Sequence, residues 1–173
     1  DRIVGISGFT VRPPQARKEK PKVSTFLDAK IEEILNLKPD LVIGFSDIQA
    51  NIAKELIAQG ITVWVNNYRS VEGILKMIVQ LGALVDQKEK ALKLVEDFQA
   101  EITQIQAVTA QWETNPKVYF EEWFDPLITG IQWVSEIVEL AGGIDIFPEY
   151  SKASLAKDRI LENPKVVIER NPD

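Results

Sequence analysis

The stretch Asp86–Trp112, DQKEKALKLVEDFQAEITQIQAVTAQW, decides the fold of this chain. Its apolar residues recur at the helical spacings of three, four and seven, at Ala91, Val95, Phe98, Ile102, Ile105 and Trp112. This periodicity predicts one amphipathic helix of about 27 residues that packs one side along its whole length. At 1.5 Å per residue the helix is about 40 Å long, whereas a compact 100-residue domain is roughly 26 Å across. It is therefore predicted to bridge two lobes.

The segments on either side of this helix alternate between apolar runs and amphipathic stretches. Strands are predicted at Ile3–Ile6, Leu41–Gly44, Ile61–Val65 and Lys117–Phe120, and helices over 28–37, 48–59, 71–84, 133–141 and 164–169. Because these strands follow one another through crossover segments, their pairing is predicted to be parallel. The prediction is an α/β fold with two three-layer, parallel-sheet lobes: an N-terminal lobe (1–70), a helical connector (71–114) and a partial C-terminal lobe (115–173).

The segment from Phe9 to Thr25 is rich in proline and lysine and is predicted to be a long loop. It carries a basic cluster, whose members are Arg12, Arg17, Lys18, Lys20 and Lys22. Such a cluster is either a solvated loop or a contact surface for an anionic ligand or partner.

Composition excludes several kinds of chemistry. His and Cys are absent from the 173 residues, which excludes imidazole-based triads, thiolate chemistry and His/Cys zinc sites within this sequence. The net charge of −6 divides into +2 over residues 1–70 and −8 over residues 71–173, which argues against nucleic acid as a partner. The sequence shows neither an apolar run of about 20 residues nor a secretory signal pattern. No cofactor is predicted, since phosphate-cradling glycine fingerprints are also missing.

Ligands in open parallel sheets bind beyond the carboxyl ends of the strands. This rule selects Phe9, Thr10 and Arg12 after the first strand, Phe45 and Asp47 after the second, Tyr68 and Arg69 after the third, and Trp123 and Phe124 in the second lobe. Aromatic rings offer flat contact surfaces, and Arg12 and Arg69 offer forked donors for an anionic group. Trp133, at the start of a predicted helix, is a further candidate. Each of these side chains also has a plain structural interpretation, as a core ring or a surface arginine.

The carboxylates form a competing candidate site. Glu121, Glu122 and Asp125 lie close in sequence and, together with Asp47, would suit a magnesium ion or an acid and base pair. Adjacent residues on a strand point to opposite faces, so Glu121 and Glu122 converge only where the strand has ended. The alternative interpretation is a solvated or helix-capping role.

Several segments, in order along the chain, resemble a known family, the class III substrate-binding proteins of ABC importers, in particular the branch that binds vitamin B12 and iron-siderophores. The matching segments are Pro13–Ala16, Ile34–Ile43, Gln59–Val63, Val118–Trp123 and Glu139–Gly143. The resemblance implies two α/β lobes tied by one long helix, with a ligand held between them. Family members begin with one more strand and helix before Arg2–Gly5 and continue into further strands after Asn171–Asp173, so it also implies an incomplete sheet in each lobe.

The resemblance implies a non-enzymatic, extracytoplasmic solute-binding component that delivers a chelate to an ABC permease and meets the membrane only through that permease or a removed anchor. In B12-binding relatives an acidic residue on each lobe docks onto permease arginines. The matching positions here are Ala50 and Lys165, which leaves Asp47 and Glu162 as substitutes. The ligand is expected to be a cobalamin-like corrinoid or a ferric siderophore, with the Glu121–Pro126 segment favouring the corrinoid. The alternatives are a magnesium-dependent carboxylate hydrolase and an interaction protein that binds no small molecule.

Overall fold

The computed structural model describes residues 2–173. The chain divides into two units, Asp1–Asn67 and Tyr68–Asp173. The described residues form four two-stranded sheets, three of them parallel pairs and one antiparallel, together with eight α-helices. The α/β prediction with parallel sheets and one long helix is confirmed. The division of the sequence at residues 70 and 114 stays a prediction.

The first unit alternates strands and helices. Its elements are β1 (Ile6–Ser7), α1 (Pro14–Glu19), β2 (Lys22–Ser24), α2 (Ile31–Asn36), β3 (Val42–Phe45), a 3₁₀ turn (Asp47–Gln49), α3 (Ala50–Ala58) and β4 (Val63–Asn66). Strand β1 pairs with β2, and β3 pairs with β4, both in parallel. The core of the unit is formed by Val23, Ile34 and Leu56, contributed by β2, α2 and α3. One core therefore lies against both sheets.

The prediction of a loop from Phe9 to Thr25 was wrong, because this segment contains α1 and β2. Pro14 occupies the first turn of α1, a position where proline's missing N–H costs no hydrogen bond. Ala16 and Val23 are buried. Elements of six and three residues are shorter than the window over which hydrophobic periodicity is recognised, so the pattern did not indicate them.

The second unit contains the longer helices. Its elements are α4 (Val71–Leu84), α5 (Lys88–Thr109), β5 (Lys117–Val118), β6 (Glu121–Phe124), β7 (Leu127–Thr129), α6 (Gln132–Leu140), β8 (Ile144–Asp145), α7 (Pro148–Ser151), a second 3₁₀ turn (Ala156–Arg159) and α8 (Lys165–Arg170). Strands β5 and β8 are parallel, and β6 and β7 form an antiparallel hairpin. Its core contains Ile146, Phe147 and Leu161. Within residues 2–173, no helix combines the length and hydropathy needed to cross a membrane.

The long helix α5 is shorter than predicted at both ends. Asp86 has φ 55°, which is incompatible with a helix, and Gln87 is the N-terminal cap. Trp112 lies beyond the last turn, where its backbone N–H donates to the carbonyl of Thr109. The prediction that one side is buried along the whole length was also wrong: Ala91 and Val95 are buried, whereas Phe98, Ile105 and Trp112 are 38%, 45% and 46% exposed.

Helices α4 and α5 pack closely where Gly82 meets Ala91. A Cβ atom built on Gly82 would lie 2.3 Å from the Cβ of Ala91 and 3.1 Å from the carbonyl oxygen of Gln87. Real Cβ atoms do not approach so closely, so a side chain at residue 82 would push the helices apart. The missing methyl group sets the spacing of this helix pair.

We predict that Gly82→Ala destabilises the second unit, although glycine to alanine normally stabilises a helix by about 1 kcal/mol. Overpacking at the contact with Ala91 is expected to lower the free energy of unfolding by about 1–3 kcal/mol, measured by urea denaturation. The double variant Gly82→Ala/Ala91→Gly moves the methyl group to the other helix and should recover most of the loss. A stabilising Gly82→Ala would contradict the close packing.

Arg170, the last residue of α8, contacts the hydrophobic core of the second unit. Its Nη2 donates to Oε1 of Glu149 at 2.6 Å, and its Nη1 donates to the carbonyl of Ile146. The guanidinium lies 4.3 Å from the centre of the Phe147 ring. The hydrogen bond from Arg170 lowers the pKa of Glu149, and partial burial opposes this effect.

The lowered pKa of Glu149 predicts a pH-dependent contribution to stability. Above the pKa that Glu149 has in the unfolded chain, its carboxylate is charged in both the folded and the unfolded state, and the ion pair with Arg170 stabilises the fold in full. This stabilisation is under about 1 kcal/mol because both side chains are partly exposed. As the pH falls through the lowered folded-state pKa, the contribution is lost. The difference in free energy of unfolding between the native chain and Glu149→Gln should therefore shrink below about pH 5. Glu101→Gln, on the exposed side of α5, is the control, and a difference that stays constant to pH 3 would contradict the prediction.

Candidate functional site

Three phenylalanines meet at the carboxyl ends of strands in the first unit. Phe9 follows β1, Phe26 follows β2, and Phe45 ends β3. The rings of Phe9 and Phe26 stack, with centroids 4.1 Å apart and planes 9° from parallel. The Phe26 and Phe45 rings meet edge to face at 6.0 Å. We call Phe9, Phe26 and Phe45 the aromatic cluster.

The aromatic cluster is open to solvent. The exposed fractions are 55% for Phe9, 46% for Phe26 and 45% for Phe45. Contiguous exposed apolar surface of this kind is typical of binding surfaces, since it gains free energy only when something covers it. Rings also offer broad contact area with few rotatable bonds. The cluster therefore suits a ligand with a flat, apolar face.

Sequence reasoning identified two members of the aromatic cluster and missed the third. The rule of strand carboxyl ends selected Phe9 and Phe45, but Phe26 follows β2, a strand that was not predicted. The available signal was weak: Pro21 precedes the three residues Lys22–Ser24, in which a single apolar side chain is flanked by polar ones.

Arg17 holds the loop that carries Phe9. Its Nη1 donates to the carbonyl of Gly8 at 2.8 Å and to that of Thr10 at 3.1 Å. Arg17 was predicted as part of a basic cluster that is either solvated or an anion contact. In the structure its guanidinium donates to two backbone carbonyls, which fixes the turn after β1.

The other residues predicted in the first unit have varied surroundings. Thr10 is half-buried, and its backbone N–H donates to the carbonyl of Ser7. Arg12 is exposed. Asp47, predicted to dock a permease, is exposed in the 3₁₀ turn and accepts a hydrogen bond from the Ser46 hydroxyl at 2.6 Å. Their roles in binding stay predictions.

An open groove lies beside Asp47, along α3 and β4. Its volume is about 470 Å³, and its lining includes Ala50, Ala53, Ile57 and Val65. Its lining residues include no member of the aromatic cluster. The groove is therefore a surface separate from the rings.

The second unit carries a pair of aromatic rings on the β6–β7 hairpin. Trp123 and Phe124 have ring centroids 5.8 Å apart and planes 24° from parallel, and they are 56% and 70% exposed. The indole N–H of Trp123 donates to the carbonyl of Asp125 at 3.0 Å. The register of the hairpin shifts between Glu121 and Trp123. Such an irregularity breaks the strict alternation of side chains that a regular strand imposes.

A buried arginine anchors this hairpin. Arg159 is 3% exposed, and its Nη1 and Nη2 donate to the two carboxylate oxygens of Glu122 at 2.5 and 3.3 Å. Nη1 also donates to the carbonyl of Thr129 on β7. The predictions for Glu122 were a metal or acid–base role or else a solvated or helix-capping role, and Arg159 was not predicted as a functional residue. Glu122 is exposed, but its carboxylate binds Arg159 instead of capping a helix, and Arg159 ties the second 3₁₀ turn to both strands of the hairpin.

The remaining candidates in the second unit are partly exposed. Tyr68 lies against Gly73 at the start of α4, with Lys76 Nζ 5.9 Å from the centre of its ring. Arg69 is half-buried, and Trp133 is 40% exposed at the second residue of α6. Glu162, the second predicted docking residue, is exposed. The roles of these residues in binding or docking also stay predictions.

The carboxylates do not form a metal site in the described part of the chain. Glu122 is paired with Arg159, and Glu121 accepts a hydrogen bond from the Tyr119 hydroxyl at 3.3 Å. Burial and the charge of Glu121 raise the pKa of Tyr119. Among residues 2–173, no group of three or more acidic, His or Cys side chains is placed to hold a metal ion. The magnesium hypothesis therefore has no structural support.

Comparison with known proteins decides the family. A family model described as periplasmic binding protein matches residues 1–173. The chain belongs to the periplasmic binding protein family. Among curated relatives, the vitamin B12-binding protein of Vibrio campbellii is 34% identical over 180 residues, covering 100% of this chain and 62% of that protein. A Salmonella choleraesuis vitamin B12-binding protein is 31% identical and is covered to 64%. This periplasmic binding protein thus spans less than two thirds of those relatives.

Solved structures confirm the fold of this periplasmic binding protein. The vitamin B12-binding protein BtuF of Vibrio cholerae superposes with a TM-score of 0.76 at 23% identity, over 98% of this chain and 65% of the other. The periplasmic heme-binding protein RhuT of Roseiflexus superposes with a TM-score of 0.76 at 21% identity, over 98% of this chain and 65% of the other. An ABC transporter substrate-binding protein from Listeria monocytogenes superposes with a TM-score of 0.75 at 21% identity, over 98% of this chain and 64% of the other.

The Arg159–Glu122 pair predicts an asymmetric response to mutation. Glu122→Gln leaves a buried guanidinium without its counter-charge and should lower the free energy of unfolding by about 2–3 kcal/mol, reduced from the fully buried case because Glu122 is partly exposed. Arg159→Met leaves a carboxylate that water can reach, and should cost about 1–2 kcal/mol. Lys157→Met, on the same 3₁₀ turn but exposed, is the control, with a change within about 0.5 kcal/mol. Urea denaturation measures all three, and the reverse order of the first two would contradict this account.

Proposed function

We propose that this chain is the ligand-binding portion of an extracytoplasmic solute-binding protein that serves an ABC importer. The observation that carries the proposal is the exposure of aromatic rings in both units: Phe9, Phe26 and Phe45 at strand ends in the first, and Trp123 and Phe124 on the hairpin of the second. Both surfaces are apolar, broad and backed by fixed backbone. Membership of the periplasmic binding protein family supports a binding role rather than a catalytic one.

The ligand class that best suits these surfaces is a bulky planar chelate, and we propose a corrinoid of the cobalamin kind. Relatives named for vitamin B12 and structural neighbours named for vitamin B12 or heme support this class. A large flat ligand gains affinity from several rings at once, whereas a small polar solute gains little from them. A ferric siderophore is the alternative chelate.

Delivery to a permease is part of the same proposal. Asp47 and Glu162 are both exposed acidic residues, one in each unit, and are proposed to meet cationic side chains of an ABC permease outside the cytoplasmic membrane. Exposed charge of this kind contributes to the rate and orientation of docking more than to affinity.

The proposal predicts saturable chelate binding that depends on the exposed rings. Cyanocobalamin, ferrichrome and hemin are each titrated into the purified chain by equilibrium dialysis, and one of them should bind. Trp123→Ala and Phe26→Ala should each weaken that binding by about tenfold, as expected for loss of an aromatic contact of about 1.5 kcal/mol.

Trp112→Ala is the matched control, because Trp112 is also exposed but lies beyond the end of α5 and outside the candidate surfaces. Its binding constant should equal that of the native chain. Failure of all three chelates to bind would refute the proposal, and so would unchanged affinity in both ring variants.

A further inference from the structure

One amide side chain joins the two loops that carry Phe26 and Phe45. The Oε1 atom of Gln49 accepts from the backbone N–H of Phe45 at 2.9 Å, and its Nε2 donates to the carbonyl of Phe26 at 3.3 Å. Phe26 follows β2, in the β1–β2 sheet, whereas Phe45 ends β3, in the β3–β4 sheet. Gln49 therefore connects two sheets at the ends of their strands.

The chain around Gln49 is shaped to bring its amide into this place. Ser46, between β3 and the 3₁₀ turn Asp47–Gln49, has φ 59° and ψ 161°, a positive-φ conformation that is uncommon for residues other than glycine. A Cβ atom on Gly44 would lie only 3.0 Å from Oε1 of Gln49 and 3.4 Å from Cγ2 of Val65. Glycine at residue 44 thus leaves room for the Gln49 amide beside β3.

Each ring of the aromatic cluster is linked to this amide, through its own backbone or through contact with a neighbouring ring. Gln49 fixes the backbone of Phe26 and of Phe45, whose rings meet edge to face. Phe9 is not bonded to Gln49, but its ring stacks on that of Phe26. The two hydrogen bonds therefore act directly on the loops of Phe26 and Phe45, and on Phe9 through its stacking on Phe26.

We propose that Gln49 is the positioning residue of the aromatic cluster: by holding the β2 and β3 loops at fixed spacing, it sets the shape of the apolar surface and so the affinity for a planar ligand. The consequence for affinity rests on the proposed function, whereas the consequence for ring geometry does not. A residue with a merely structural role would change stability and leave the rings in place.

Variants of Gln49 separate its two hydrogen bonds. Gln49→Met removes both, whereas Gln49→Glu keeps the acceptor for Phe45 N–H and loses the donor to Phe26. Gln59→Met, at the exposed far end of α3, is the matched control. Gly44→Ala tests the same contact from the strand side and remains informative if Gln49→Met fails to fold.

The first readout is the NMR spectrum of the chain with ¹³C-labelled phenylalanine rings and ¹⁵N backbone. Stacked rings shift each other's resonances, so Gln49→Met should lose the mutual shifts of Phe9 and Phe26. Gln49→Glu should lose them too, while the Phe45 amide keeps its protection from hydrogen exchange. Gly44→Ala should resemble Gln49→Met, and Gln59→Met should resemble the native chain. Unchanged ring shifts in Gln49→Met and Gly44→Ala would overturn the proposal.

The second readout is the dissociation constant for whichever of cyanocobalamin, ferrichrome or hemin the native chain binds. Gln49→Met should weaken binding roughly tenfold, the effect of two lost hydrogen bonds on the surface it orders, and Gln49→Glu by less. Affinity within twofold of native in Gln49→Met would overturn the link to affinity. If the native chain binds none of the three while the ring shifts change as described, the proposed function fails and the positioning role of Gln49 stands.

Discussion

Parallel pairing of strands is the constraint on which the candidate site depends. In a parallel pair both strands end at the same edge, so the loops that follow them begin side by side. In the first unit Val42 lies opposite Val63 and Phe45 opposite Asn66 without an irregularity, and β1 lies parallel to β2. The loops that follow β1 and β2 carry Phe9 and Phe26, respectively. Phe9 and Phe26 therefore meet because β1 pairs with β2 and not because of a local motif, whereas the Gln49 side chain links the Phe26 backbone to that of Phe45 on the other sheet.

Long polar side chains keep those loops in fixed conformations. The turns that follow the strands leave carbonyl groups without partners in a sheet, and side-chain donors can pair with them. Arg17 supplies donors to two such carbonyls, Gln49 to one, and Arg159 to the carbonyl of Thr129 on the hairpin. Charged and amide side chains thus hydrogen-bond the backbone of the loops and of the hairpin that carry the exposed rings.

The long, regular elements were predictable from the sequence, and so were the short elements β3, with its clear apolar run, and α8, with a proline at its start, but not α1 and β2. Helix α4 was predicted with its observed bounds, and α5 with ends a few residues too long, because periodicity over several turns is unambiguous. Strand β2 is three residues long and gave only a weak signal, so the strand was missed and Phe26 with it. Arg159 was missed for another reason: its partner Glu122 lies 37 residues away, so only tertiary structure brings them together.

The exposed rings also bear on what the surfaces are for. Fully burying a phenylalanine side chain contributes about 1.5–3 kcal/mol relative to leaving it exposed, and a domain has only about 5–15 kcal/mol of net stability. The aromatic cluster and the Trp123–Phe124 pair leave five rings between 45% and 70% exposed, and so forgo several kcal/mol of stabilisation in the unliganded chain. Gln49 is hydrogen-bonded to the backbone of Phe26 and Phe45, and the Arg159–Glu122 pair ties the second 3₁₀ turn to the hairpin that carries Trp123 and Phe124. An apolar ligand that covers these rings would gain the free energy of burying them. This gain is the physical basis on which a binding function is proposed.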